Sequence, residues 1–231
     1  MLVQLLDNTP YGSTYDDYER TVIEENVLGK ETAEVRKRTF RSLRELYVLS
    51  NDRILFRALR DVWSDDPKGQ PLLAGLCALA TDSVFRSTAK VIISREPGDE
   101  VNRDELGEAA EEQFPGVYSA STIGKIGRNS YSSWQQTGHL DPADGQVKRR
   151  RRADATASTV AYALLLGHLE GVGGEALFHT EWAKVLDRPV PHLLELATLA
   201  SQRSLIDFRH SAGVIEVGFS TLMRPMEGQL L

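Results

Sequence analysis

From residue 71 to 94 the chain is apolar nearly all round, with Leu72, Leu73, Leu76 and Leu79 followed by Val84, Phe85, Ile92 and Ile93. A helical stretch without a polar face has to be enclosed by other elements. This segment therefore predicts the buried centre of a helical domain. Amphipathic partners precede it, with helices expected over 15–28, 31–49 and 53–63. The second carries a stripe of Val35, Thr39, Leu43, Leu46 and Tyr47, with Arg36, Lys37, Arg38 and Arg41 largely outside. In the third, Ile54, Leu55, Ala58, Leu59 and Val62 face inward behind the capping residues Ser50, Asn51 and Asp52. Residues 1–14, with the turn-forming Asn8-Thr9-Pro10-Tyr11-Gly12, read as a weakly ordered start.

Glu96-Pro97-Gly98-Asp99 marks a boundary, beyond which the pattern changes to short helices, a basic loop and possible strands. Asn102 to Glu105 has capping-box spacing for a helix ending near Phe114-Pro115-Gly116. A second helix begins after Ser119 or Ser121, runs to about Gln136 and stops at Thr137-Gly138. In the loop 139–153, Asp144-Gly145 is a hairpin-turn signal. A helix over 156–169 ends in a glycine-rich stop. The final residues then repeat the layout: Thr180 caps one helix, Pro189 and Pro191 open another, and alternating segments over 205–209 and 213–219 read as a hairpin. The expected fold is mainly α. An N-terminal helical bundle (1–96) is joined to a C-terminal region (97–231) of winged-helix-like units, about 102–153 and 174–220, with short β-hairpins.

Charge singles out the first of these units. The chain carries 27 basic and 33 acidic residues, a net −6. Residues 116–153 hold seven basic residues against two acidic ones, a net +5 that leaves −11 on the rest. Such asymmetry points to a polyanionic partner met on one face. On the expected helix, Ile123, Ile126 and Trp134 occupy one side, while Lys125, Arg128, Asn129, Ser132 and Gln136 occupy the other. These side chains suit paired hydrogen bonds to base edges or neutralisation of phosphate. Ser119, Ser121 and the first-turn amides suit a phosphate. The run Lys148, Arg149, Arg150, Arg151 and Arg152 falls where a winged helix places its wing, expected on phosphates. Gly124 and Gly127 weaken the helix by up to about 1 kcal/mol each; they also suit close packing on a neighbouring helix.

Catalytic chemistry finds no support. The histidines His139, His168, His179, His192 and His210 have neither the helical spacing nor the cysteine partners of a zinc site. The glycine-rich stretch 167–174 follows a helix and lacks a lysine, unlike a phosphate-binding loop. The single cysteine, Cys77, excludes an intrachain disulfide and falls in the apolar centre, where it packs. No enzyme activity, metal or cofactor is expected. The uncharged run 155–169 is too short to span a bilayer, and nothing at the N-terminus resembles a secretory signal. A cytoplasmic setting is expected.

Glu24-Glu25-Asn26-Val27-Leu28-Gly29-Lys30-Glu31-Thr32, followed by a basic helix ending Leu43-Arg44-Glu45-Leu46-Tyr47, resembles the N-terminal signature of the BrxA family of bacterial BREX phage-exclusion systems. Residues 71–80, Phe114-Pro115-Gly116, Ser121-Thr122-Ile123-Gly124-Lys125, Ser133-Trp134 and Gly138-His139-Leu140 are similar in order and spacing. The resemblance spans about residues 15–220. It implies a non-enzymatic, mainly helical protein related to the NusB antitermination fold. It also implies double-stranded DNA binding beside other phage-defence proteins. Two further readings remain open: an assembly adaptor for those proteins, and RNA binding in the manner of NusB-like proteins.

Overall fold

The computed structural model describes residues 1–141, 147–211 and 213–225. The chain is mainly α-helical, with an N-terminal helical bundle followed by winged-helix-like units and short β segments. The bundle comprises α1 (Leu2–Asp7), α2 (Tyr15–Ile23), α3 (Ala33–Tyr47), α4 (Ile54–Trp63) and α5 (Gln70–Thr81), with the short α6 (Ser83–Ser87) and α7 (Ala89–Ile93) behind it. Helix α1 corrects the expectation of a weakly ordered start. Leu2, Leu5 and Leu6 make a one-sided stripe and are all buried. The capping residues before α4 also act differently. Arg53 holds the N-cap without a side-chain bond, and Asn51 donates to the Ser13 carbonyl.

Of the apolar residues singled out in segment 71–94, Leu72, Leu73, Leu76, Leu79, Phe85 and Ile92 are buried and Val84 and Ile93 partly so, and the segment is divided among three helices. Asp82 ends α5 and caps α6 by accepting from the amides of Val84 and Phe85. Helix α10 (Ala157–Leu169) is the second hub, buried from Ala157 through Gly167. It packs against α4 and α5 of the bundle, and also against α11 (Glu181–Val185) and α12 (Val190–Gln202). One core consequently runs from Leu2 to Leu222. The turn at 96–99 changes the architecture without interrupting that core.

The first winged-helix-like unit starts with β1 (Glu100–Asn102), continues through α8 (Arg103–Gln113) and α9 (Ala120–Gln136), and returns in β2 (Val147–Arg149). Strand β2 pairs antiparallel with β1, Glu100 opposite Arg149 and Asn102 opposite Val147. On its other edge the Asp141 amide bonds the Arg149 carbonyl (3.0 Å) and the Arg151 amide bonds the His139 carbonyl (2.9 Å). The basic run is thus the middle segment of a small three-segment sheet. The expected Asp144-Gly145 turn lies outside the described residues. The second unit repeats the plan with α10, a 3-10 helix (Gly174–His179), α11, α12 and a hairpin of β3 (Asp207–Ser211) and β4 (Val214–Gly218).

Two glycines set how closely α9 approaches α8. A Cβ on Gly127 would collide with the Arg103 carbonyl, and one on Gly107 would lie 3.0 Å from the Ile123 carbonyl. Gly124 would meet only the Arg128 side chain, at 3.5 Å. Gly127→Ala is expected to lose about 1–3 kcal/mol of stability through overpacking, despite its better helix propensity. Gly124→Ala should be neutral or stabilising. Thermal denaturation of the two variants separates them.

Candidate nucleic-acid interface

Helix α9 is anchored from behind. Trp134 is fully buried; its indole N–H donates to the Thr88 hydroxyl (2.8 Å) and its ring lies 5.0 Å from both Phe85 and His139. Ser119 caps the helix by accepting from the Thr122 amide at 3.3 Å, which engages one of the first-turn groups expected to hold phosphate. The opposite face is open: Lys125, Arg128, Asn129, Ser132 and Gln136 are all exposed. At a rise of about 1.5 Å per residue α9 is roughly 25 Å long, enough to lie along a major groove.

That face has two edges. Ser121, Lys125, Arg128 and Ser132 follow each other at helical spacing and form an outward stripe. Asn129, Ser133 and Gln136 instead line a cleft of about 490 Å³ shared with α5, Asp82 and the first residues of the chain. Gly75 permits this approach, since a Cβ there would run into Thr137. No signal in the sequence announces the cleft, because it depends on how α9 docks on α5. The site's cationic reach therefore lies in Lys125 and Arg128, with Asn129 and Gln136 on the cleft side.

The basic run is divided by strand geometry. Successive side chains of a strand point to opposite faces, so five consecutive cations cannot all reach one ligand. Arg149, Arg151 and Arg152 are exposed, whereas Lys148 and Arg150 are only 8% and 3% exposed. The Lys148 ammonium donates to the side-chain amide oxygen Oε1 of Gln135 and sits 4.5 Å from the centre of the Tyr131 ring. Lys148 thus ties β2 to α9. Arg150 donates to the carbonyls of Ile92 (2.9 Å) and His139 (3.4 Å) and pairs with Asp187 at 3.0 Å. Both are corrections to the expected phosphate contacts, because alternation turns these two side chains inward. Arg149 pairs with Glu100 at 3.3 Å, with both partners exposed, so solvent competes with the pair and little is needed to open it.

Arg150 also joins the two units. Asp187, which adopts φ +56 between α11 and α12, answers Arg150, while Arg188 donates to the Ala153 carbonyl at 2.7 Å. Burial works against both charges of the pair. It raises the Asp187 carboxyl above its ordinary value even though Arg150 opposes the shift, and it lowers Arg150 despite the attraction of Asp187. His139 completes the junction by donating from Nε2 to the Val185 carbonyl (2.8 Å), with Nδ1 facing the Thr137 hydroxyl (2.7 Å).

Burial, reinforced by Arg150 and Arg188, lowers the His139 pKa to about 3 against an ordinary 6.5. An unfolded chain binds a proton at this histidine below about pH 6.5, whereas the native chain does not until about pH 3. Its contribution to stability is therefore present above 6.5 and falls as pH drops toward 3. His139→Gln is expected to flatten the loss of stability between pH 6.5 and 5, as read by urea denaturation at each pH.

The second unit presents a different surface. Helix α12 contains no lysine or arginine, and its exposed positions include Glu195, Thr198, Leu199 and Gln202. The exposed cations of this unit, Lys184, Arg203 and Arg209, lie off α12, whereas Lys125 and Arg128 stand on the exposed face of α9 itself. Cys77 is fully buried and its thiol is pushed up to about 12 by desolvation, consistent with packing. Among the described residues, no three His, Cys, Asp or Glu side chains gather as a metal site, and no helix is long and apolar enough to cross a membrane.

No protein-family model, curated protein or solved structure matches this chain.

Proposed function

We propose that this chain is a non-enzymatic, double-stranded DNA-binding accessory protein of a BREX-like phage-defence system. The observation that carries the DNA reading is the open face of α9. Lys125, Arg128 and Ser132 stand exposed in line on a helix whose other side is locked to the core, and Arg149, Arg151 and Arg152 emerge from the adjoining strand segment. The helix would enter the major groove while the arginines neutralise the flanking phosphates. The defence setting rests on the resemblance to the BrxA family. Fluorescence anisotropy with a labelled duplex tests the binding, with a matched RNA duplex as competitor. The DNA reading expects RNA to compete poorly, because its deep, narrow major groove excludes a helix. Equal competition would favour the RNA reading instead.

A second reading, an adaptor for other defence proteins, draws on α3. Lys37, Arg38 and Arg41 are exposed there, away from α9 in sequence. Neutralising all three should leave duplex affinity unchanged within about twofold if α3 serves a protein partner and makes no contact with the duplex. A pull-down with the same triple variant reads the partner side.

A further inference from the structure

The cleft of about 490 Å³ beside α9 is lined by polar groups that nothing in the fold engages. Asp82 stands where α5 ends and α6 begins. Its Oδ1 accepts from the amides of Val84 and Phe85, both at 2.9 Å, which uses that oxygen up. The other oxygen, Oδ2, has no partner among the described residues and is not enclosed. Asn129 lines the same cleft from α9; it is exposed, and its carboxamide is equally free. Gln136 differs, since its amide donates to the Ser132 hydroxyl at 3.2 Å. Leu46, Val84 and Ile126, each partly buried, supply apolar wall. Such a cleft, apolar with a few convergent polar groups, has the volume and the chemistry of a small-molecule site.

Asp82 carries the only side-chain charge among the described lining residues, so phosphates and carboxylates are repelled. What the cleft offers is two acceptors, Asp82 Oδ2 and Asn129 Oδ1, and one donor, Asn129 Nδ2. These suit a flat apolar body bearing an amine with two N–H groups next to an acceptor nitrogen. Adenine has that edge, and a carboxamide pairs with its N6–H and N7. Guanine and hypoxanthine present O6 there instead, an acceptor that a carboxylate oxygen rejects. We infer that this cleft binds an adenine base, Asn129 pairing with N6–H and N7 while Asp82 Oδ2 accepts the second N6–H. The base arrives as a free nucleoside or as an unpaired base of DNA, and only the second source rests on the DNA reading of α9.

Full-length protein is titrated with adenosine, inosine and purine riboside, whose base lacks the amine. Calorimetry reads the affinity, and a ¹⁵N–¹H correlation spectrum follows the side-chain amide signals of Asn129, which Asn129→Ala identifies. Adenosine is expected to bind saturably and to move those signals, with inosine and purine riboside at least tenfold weaker. Asn129→Ala, at an exposed helix position, should keep the wild-type Tm and weaken adenosine binding at least tenfold. Asp82→Asn keeps a capping side chain on α6 but puts an amide N–H in place of Oδ2. It should narrow or reverse the preference for adenosine over inosine, a change that misfolding does not produce. No saturable response to adenosine, equal binding of inosine by the wild type, or an unchanged preference in Asp82→Asn overturns the proposal. Duplexes with one unpaired adenine or thymine separate the sources. A preference for unpaired adenine of at least tenfold, abolished by Asn129→Ala, marks DNA as the source, and equal affinity marks the free nucleoside. A chain that binds adenosine but no duplex fails the DNA reading while upholding this one.

Discussion

Arg150→Ala is expected to lower the free energy of unfolding by about 3–5 kcal/mol, the usual cost of removing one partner from a buried ion pair. The loss has three parts. Asp187 keeps a partly buried carboxylate without its cation, the carbonyls of Ile92 and His139 lose a donor, and the junction between the two winged-helix-like units loses its main polar tie. Arg149→Ala, Arg151→Ala and Arg152→Ala should each change stability by no more than about 0.5–1 kcal/mol, because these side chains are exposed. Urea denaturation of the four variants, which differ only in position along one arginine run, reads the strand alternation as an energy. Equal effects at all four positions would contradict the buried assignment of Arg150.

The double variant Lys125→Ala/Arg128→Ala is expected to weaken duplex DNA binding at least about thirtyfold. That is about 2 kcal/mol, from two contacts at the lower end of about 1–3 kcal/mol each. Both residues are exposed on α9, so the fold should survive, and an unchanged Tm confirms that affinity and not folding was lost. Lys148→Ala serves as the contrast. Its ammonium is engaged by Gln135 and Tyr131, so its removal should act on stability before it acts on affinity. Anisotropy titrations at one fixed salt concentration compare all three proteins.

Local patterning was readable wherever it decides the structure. A start after Ser119 or Ser121 and an end near Gln136 predict α9 to within two residues, and the outward set on that helix follows from its 3.6-residue period alone. The hairpin of β3 and β4 is likewise visible as alternation, two residues early at its start. The basic run is the opposite case. Five cations in a row hide their own alternation, since no apolar residue marks which face turns inward, and a buried arginine is rare enough to go unsuspected. Strand β1 escaped notice because its partner β2 lies far along the chain, so nothing local specifies the pairing. Helix α1 was missed because the turn chemistry of Asn8 to Gly12 outweighed a stripe of only three leucines. Its burial comes from docking on the bundle. The cleft beside Asn129 and Gln136 depends on the meeting of Gly75 with Thr137, a tertiary contact with no sequence signature.

The central claim is that five exposed cations, Lys125, Arg128, Arg149, Arg151 and Arg152, form the polyanion-binding surface while Lys148 and Arg150 do not. The dependence of duplex affinity on salt counts those contacts. At about −0.9 per phosphate neutralised, the log–log slope should be near −4.5, and each exposed cation removed should reduce it by about 0.9. A slope shallower than about −2, or no binding by the wild type at low salt, would contradict the account.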